Sequence, residues 1–135
     1  MKTTEQAIPL LVYRDIQAAH DFLVEAFGFS SGGVELGPRG DAVHGEVRVG
    51  KSTIWLHRAT EVYDMDSPQK VDTAGSGIVV HVSDVDAHFD HARAAGATIA
   101  YEPIDQPYGQ REYEAHDLEG HRWWFATPLA AKRGS

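Results

Sequence analysis

The residues best suited to contact a ligand are two adjacent tryptophans near the end of the chain, in the stretch GHRWWFATP. Side chains alternate along a β-strand, so Trp123 and Trp124 must face opposite sides of the strand that they occupy. One indole then packs in the core, while the other can present a flat aromatic face for stacking on a planar, apolar ligand. The alternative is that all three tryptophans of the chain are core residues.

Several histidines could add polar contacts to a ligand or to a metal. His57 and His81 lie on predicted strands, and alternation directs both toward the candidate binding cleft, unless they only fill space at a sheet edge. A metal site built from His57, His81 and His116 has no recognised ligand spacing, so no metal site is predicted. His88 and His91 are three positions apart and are interpreted as part of a solvated helix surface.

The turn signal QPYG precedes Arg111 and would place its side chain where a loop meets the mouth of a cleft. There Arg111 either contacts a ligand or pairs with an acidic neighbour such as Glu112 or Glu114. Tyr108 of the same turn is a candidate second aromatic wall. The sequence contains no nucleophile motif, no Walker motif and no dinucleotide-binding glycine pattern, so no catalytic residue is predicted.

The elements that must position these residues occur twice along the chain. The stretch LVYRDIQAAHDFLVEAFGF indicates a strand followed by a helix whose N-cap is Asp15. The stretch IVVHVSDVDAHFDHARAAG repeats this order with Asp84 as the cap. Asp15 and Asp84 are 69 positions apart, as are Trp55 and Trp124, and these two matching offsets indicate an internal duplication.

Each copy is predicted to contain a strand, a helix and three further strands. Module one spans about residues 8–58, a polar linker covers 59–76 and module two spans about 77–128, within a single domain of residues 1–135. The predicted fold class is α+β, with two tandem βαβββ modules forming a curved antiparallel sheet that encloses a cleft, and helices outside. A copy of roughly 60 residues cannot bury its own sheet face, so the copies must pack together or across a dimer.

Composition narrows the possible partners. The chain has 135 residues and a net charge of −8, without the basic cluster that nucleic-acid binding requires. It has no apolar run of the ~20 residues that span a bilayer, and a cytoplasmic protein is expected. It has no cysteine, which excludes disulfides and thiolate metal sites. The acidic balance favours a neutral or cationic small molecule as the ligand.

The duplicated pattern resembles the vicinal-oxygen-chelate superfamily, which includes glyoxalase I, extradiol dioxygenases, fosfomycin-resistance enzymes and bleomycin-resistance proteins. The resemblance runs from about Pro9 to Pro128 and is strongest in LVYRDIQAAHDFLVEAFGF and QPYGQREYEAHDLEGHRWWF. The second segment is most similar to the closing segment of bleomycin-resistance proteins. In those proteins the aromatic residue that corresponds to Tyr108 lies near a ligand groove formed with the partner chain.

Metal enzymes of the superfamily place a ligand on the first and last strand of each copy. The resemblance carries these positions onto Ile8, Trp55, Gly77 and Trp124, none of which can ligate a divalent metal through its side chain. It therefore implies that there is no metal and no cofactor, and that Trp55 and Trp124 point into the cleft instead. The residues predicted to contact a ligand are Leu10, Trp55, His57, His81, Tyr108, Arg111 and Trp124.

The predicted function is that of a non-metal binding protein of the bleomycin-resistance type. It would sequester an aromatic small molecule, which can also be cationic, in a Trp-lined cleft. The alternative is a glyoxalase-like lyase, or another metal-dependent enzyme of the superfamily with unusual ligands. Half-sheets with an open edge are usually completed by a partner in this superfamily, so a homodimer that buries at least ~1,200 Å² is expected.

Overall fold

The computed structural model describes residues 6–70 and 75–130, and these form two consecutive βαβββ units. The elements of module one are β1 (Leu10–Tyr13), α1 (Ile16–Phe27), β2 (Ser30–Leu36), β3 (Ala42–Val49) and β4 (Ser52–Arg58). Those of module two are β5 (Gly77–His81), α2 (Val85–Ala94), β6 (Thr98–Asp105), β7 (Gln110–His116) and β8 (Arg122–Pro128). Short 3-10 helices at Glu61–Tyr63 and Pro68–Lys70 lie in the predicted linker, of which residues 71–74 fall outside the described ranges.

Both long helices begin with the predicted aspartate caps. The carboxylate of Asp15 accepts a hydrogen bond from the N–H of Ala18 at 3.0 Å, and Asp84 accepts one from Ala87 at 3.1 Å. These bonds satisfy donors that have no partner within the first helical turn. After α1, Gly28 takes the left-handed conformation with a φ of 76°, which ends the helix. No helix of the described ranges is long and apolar enough to cross a membrane.

Each module forms its own four-stranded sheet, in the order β1-β4-β3-β2 and β5-β8-β7-β6. The outer pairs β1/β4 and β5/β8 are parallel, whereas the remaining pairs are antiparallel. The predicted α+β fold class with two βαβββ modules is confirmed, and each sheet is mixed because it contains one parallel pair. The crossover helix returns the chain so that the first and last strands of a module run in the same direction, which requires parallel pairing.

The helices cover one face of each sheet, and within one chain these covered faces pack together. Helix α1 packs on module one, α2 packs on module two, and the two helices contact each other. The ring of Phe27, at the end of α1, lies 5.7 Å from Trp123 and 4.8 Å from Phe125 of module two. The opposite face of each sheet therefore lies on the outside of the chain, in agreement with the exposure of Trp55 and Val79.

We call these two outer surfaces open face one and open face two. Strand register and alternation assign their members. Open face one contains Leu10, Glu46, Trp55 and His57, and open face two contains Val79, His81, Glu114 and Trp124.

Buried polar contacts join the modules at the turn between β7 and β8. The carboxylate of Asp117 accepts hydrogen bonds from the Tyr13 hydroxyl at 2.5 Å and from the Trp123 indole N–H at 3.0 Å. Glu119 accepts two more from the backbone N–H groups of residues 14 and 15. Burial, reinforced by the negative charge of Asp117, raises the pKa of Tyr13 well above its ordinary value, so the phenol stays a donor.

His88 on α2 corrects one sequence interpretation, because it is half-buried rather than solvated. Its Nε2 lies 2.8 Å from the Phe27 carbonyl oxygen, and its Nδ1 lies 2.6 Å from the Tyr113 hydroxyl oxygen. A carbonyl can only accept, so Nε2 carries the proton and Nδ1 accepts from the phenol. Burial lowers the pKa of His88, which agrees with this neutral form. His91 is exposed, as predicted, but its Nε2 lies 2.8 Å from the Glu25 carbonyl oxygen of α1.

Candidate functional site

Open face one presents an indole beside a carboxylate. Trp55 on β4 is 38% exposed and is paired in register with Leu10 of β1 and Glu46 of β3. Its indole N–H donates to Glu46 Oε1 at 3.1 Å, while Arg48 donates to the other carboxylate oxygen at 2.7 Å. The ring of His44 meets the indole edge to face at 5.4 Å. The indole is therefore held by its polar end while its ring remains accessible.

Gly32 on β2 provides the space that the Glu46 carboxylate occupies. It lies at an irregularity in the pairing of β2 with β3, between Ser31 and Gly33. A Cβ atom at Gly32 would come within 2.5 Å of Glu46 Cγ, which is closer than real side chains approach. The glycine thus allows Glu46 to lie across β2 and to remain bonded to Trp55.

Open face two repeats the pairing of an indole with a glutamate. Trp124 on β8 is half-buried, opposite Glu114 of β7 and Val79 of β5. Glu114 is buried, lies 2.7 Å from His116 Nε2 and 3.9 Å from Arg122 Nε. Both modules therefore place a glutamate directly across from an exposed or half-exposed tryptophan, in the manner of a duplicated site.

A second carboxylate on this side of the sheet is held by tyrosines. Glu112 is 3% exposed, and alternation along β7 places it on the same side as Glu114. The Tyr108 hydroxyl donates to it at 2.5 Å, the Gln110 amide donates at 3.0 Å, and the Tyr101 hydroxyl bonds to its other oxygen. Burial opposes ionisation, but these hydrogen bonds together lower the pKa of Glu112 below its ordinary value. Tyr108, itself 66% exposed, is thereby fixed at one end of open face two.

The predicted register of the last strand is confirmed by Trp123. This residue is fully buried and packs against Phe27 and Phe29, with ring centroids 5.7 and 5.3 Å apart. Trp124, on the other face of the strand, keeps part of its surface accessible. The two adjacent indoles thus separate into a core residue and a surface residue, as alternation requires.

Arg111 does not lie beside the indoles. It shares the helix-covered side of β7 with Tyr113, and its guanidinium pairs with Asp86 and Asp105 at 3.1 Å each. The predicted pairing of Arg111 with an acidic residue is confirmed, but Glu112 and Glu114 are not its partners, since both point to the opposite side of the strand.

The remaining predicted residues divide between the two open faces. Leu10 and His57 lie with Trp55 on open face one, and His81 lies with Trp124 on open face two. Within one chain the helix layer separates the two faces, so the predicted set does not converge on one point. His81 lines a cavity of about 340 Å³ beside β5. Pro9 and Ser52 of module one line the same cavity, so residues of both modules meet there.

The four positions that carry metal ligands in enzymes of the superfamily do not fit a metal here. Ile8 and Gly77 have no donor atom, and the indole N–H groups of Trp55 and Trp124 can only donate hydrogen bonds. A Cβ atom at Gly77 would lie 2.3 Å from Cζ3 of Trp124, so the indole itself fills the space between these two positions. In residues 6–70 and 75–130, no group of three or more His, Asp or Glu side chains could hold a metal.

Comparison with known proteins identifies the class. The family model of the Glyoxalase/Bleomycin resistance protein/Dioxygenase superfamily matches residues 6–125, and the chain belongs to this superfamily. Its resemblance to the vicinal-oxygen-chelate proteins is thereby confirmed. An uncharacterised protein of Mycobacterium tuberculosis is 33% identical over 124 residues, which cover 90% of this chain and 73% of the relative.

Two solved structures show the same fold. TioX from Micromonospora sp. ML1 is 35% identical, with a TM-score of 0.73 over 93% of this chain and 99% of TioX. The bleomycin-binding protein from Streptomyces verticillus, solved with copper(II)-bleomycin, is 24% identical, with a TM-score of 0.63 over 98% of this chain and all of that protein. The second likeness concerns the fold alone.

Sequence reasoning missed the glutamates that lie beside both indoles. Glu46 precedes Trp55 by nine residues and Glu114 precedes Trp124 by ten, because the turn between the paired strands differs in length. A search at the fixed offset of 69 aligns the tryptophans but not the glutamates. Pairing the last two strands of each module as a hairpin would have revealed the repeat.

Proposed function

We propose that this protein binds a planar aromatic small molecule that carries positive charge, without a metal and without chemical conversion. The observation that carries the proposal is the pairing of an accessible indole with a carboxylate on both open faces. Indole rings stack on flat apolar groups, and a neighbouring carboxylate favours a cation over a neutral molecule of the same shape. Sequestration of a toxic compound in the cytoplasm is the concrete form of this role.

The charges on the two faces support a cationic ligand. Glu46 and Glu114 are paired with the two tryptophans across neighbouring strands. Glu112 lies two residues before Glu114 on β7 and faces the same side of the sheet. Arg48 and Arg122 offset part of this charge, whereas the hydrogen bonds to Glu112 come from neutral phenols and an amide. The net charge of −8 has the same sign and would attract cations over a longer range.

We further propose that the ligand binds between the subunits of a homodimer. Within one chain the open faces point away from the shared core, so neither face encloses a ligand by itself. Placing open face one of one subunit against open face two of its partner would bring Trp55 opposite the partner's Trp124. Strands β1 and β5 lie at sheet edges, where a second chain can associate.

A matched pair of probes tests the charge requirement. 9-Aminoacridine is a planar cation at neutral pH, and acridine has the same ring system but is neutral there. We expect calorimetry to show at least tenfold tighter binding of 9-aminoacridine, in line with the ~1.4 kcal/mol that one favourable charge contact supplies. Equal affinities would remove the carboxylates from the proposal, and binding of neither probe would contradict it altogether.

Metal analysis separates this proposal from the glyoxalase-like alternative. The positions that correspond to the metal ligands of the superfamily's enzymes offer no suitable side-chain donor atom. We therefore expect extensively dialysed protein to retain less than one transition-metal ion per chain. Addition of Zn²⁺, Ni²⁺ or Mn²⁺ should leave the affinity for 9-aminoacridine unchanged. One tightly held metal ion per chain would favour the alternative, a metal-dependent enzyme with unusual ligands.

A further inference from the structure

The indole of Trp124 lies against β5, the first strand of its own module. Its six-membered ring occupies the space that a side chain at Gly77 would fill. On the other side of β8, Glu114 of β7 is paired in register with Trp124.

The absence of a side chain at Gly77 makes this position of the ring possible. A Cβ atom at Gly77 would lie 2.3 Å from Cζ3 and 3.0 Å from Cη2 of Trp124. Both distances are at or below the closest approach that real side chains make, so the observed position of the ring depends on the missing Cβ. The position 69 residues earlier is Ile8, which does carry a side chain. The two modules therefore differ at the residue that borders the indole of Trp124.

We propose that Gly77 is a positioning residue that sets the orientation of Trp124, and through it the affinity of open face two for flat aromatic ligands. The inference deepens the proposed function and rests on it for the ligand. Contact with β5 restricts the indole to one orientation before binding, so little side-chain freedom is lost when a ligand stacks on it. A side chain at position 77 would displace the ring from the strand and toward solvent.

Acrylamide quenching of tryptophan fluorescence tests the positioning without any ligand. In a Trp55→Phe background the remaining tryptophans are Trp123, which is fully buried, and Trp124, so the quenchable signal reports on Trp124. We expect Gly77→Ala in this background to increase quenching about twofold while the far-ultraviolet circular dichroism stays unchanged. Gly75→Ala is the matched control, since a Cβ atom there would have nothing within 4 Å. Unchanged quenching in folded Gly77→Ala protein would overturn the proposal.

A double-mutant cycle with 9-aminoacridine shows whether Gly77 acts through the indole. We expect Gly77→Ala to weaken binding about fivefold in the wild type and to have no effect in a Trp124→Ala background. An equal loss in both backgrounds would mean that Gly77 serves the backbone, not the ring. If the wild type does not bind the dye, the proposed function fails, but the quenching comparison still decides the role of Gly77.

A failure of Gly77→Ala to fold is also informative. The added Cβ would lie 2.6 Å from the Arg122 carbonyl oxygen as well, so a backbone clash is the competing explanation. Combining Gly77→Ala with Trp124→Ala removes the ring but leaves this carbonyl contact. Recovery of folded protein in the double variant supports the contact between Gly77 and the indole. An unfolded double variant would overturn the proposal.

Discussion

At the scale of single residues, two adjacent tryptophans have different surroundings because a strand alternates its side chains. Trp123 is fully buried among Phe27 and Phe29, and its N–H is bonded to Asp117. Trp124 is half-buried on the opposite side of the strand. Alternation is a local property of the chain, so the sequence alone could predict this difference.

Truncation of the two tryptophans should therefore differ in its effect on stability. We expect Trp123→Ala to lower the free energy of unfolding by ~3–5 kcal/mol, because it leaves a cavity and removes a buried hydrogen bond. Trp124→Ala should cost less than ~2 kcal/mol, since its ring is only partly packed. Urea denaturation of both variants measures the difference. A larger loss in Trp124→Ala than in Trp123→Ala would contradict the assigned faces of β8.

At the scale of elements, helix α2 shows what a periodic pattern misses. Val85, Phe89 and Ala92 form a buried apolar stripe at helical spacing. His88 beside the stripe is held by groups from two other elements. One of these is the Phe27 carbonyl at the end of α1, 61 residues away in the chain. The helical period gives no information about such a contact, so the interpretation of His88 as solvated was wrong.

Because His88 is neutral in the folded chain, we expect the protein to lose stability in mild acid. Its pKa in the folded chain lies below the ordinary value, so the unfolded chain takes up a proton first as the pH falls through about 6.5. The free energy of unfolding should therefore decrease between about pH 8 and pH 5.5, and less so in His88→Gln. Urea denaturation across this range measures both slopes, and exposed His81→Gln serves as the control. Identical slopes in wild type and His88→Gln would refute the assignment.

The repeated helix caps predict similar effects in both modules. Asp15→Ala and Asp84→Ala each remove a carboxylate that accepts a backbone N–H at the first turn of a helix. We expect each substitution to lower the free energy of unfolding by ~1 kcal/mol. Thermal denaturation of the two variants measures this. A change below ~0.3 kcal/mol at either site would show that the cap contributes little there.

At the scale of the whole molecule, the modules depend on each other. Residues of both modules form one hydrophobic cluster, which leaves the two sheets with exposed outer faces and edge strands. An isolated chain would therefore expose Trp55, Val79 and Leu10 together with the edge strands β1 and β5. A second copy that covers these surfaces would remove both liabilities.

The expected homodimer is testable in solution. We expect sedimentation equilibrium at tens of micromolar to give twice the chain mass of 14.8 kDa, consistent with an interface of at least ~1,200 Å². A charged substitution at an edge-strand surface residue, Val79→Asp, should shift the equilibrium toward monomer without unfolding the shared core. Wild-type protein that stays monomeric at this concentration would contradict an intersubunit cleft.

The features that could be predicted from the sequence are those that depend on residues close together in the chain. The caps at Asp15 and Asp84, the stop at Gly28 and the faces of Trp123 and Trp124 follow from neighbouring residues in the chain. The parallel pairing of β1 with β4 and the true partners of Arg111 depend on how distant segments meet. The candidate site combines both levels, since its indoles were predicted but the glutamates beside them depend on cross-strand register.

Binding of 9-aminoacridine to tryptophan variants tests the proposed function most directly. If the ligand stacks on both indoles, calorimetry should show that Trp55→Ala and Trp124→Ala each weaken binding by at least ~30-fold, equivalent to ~2 kcal/mol. Both variants should remain folded, because each ring is at least partly exposed. Folded variants that bind the dye as tightly as the wild type would show that the indoles do not form the binding site.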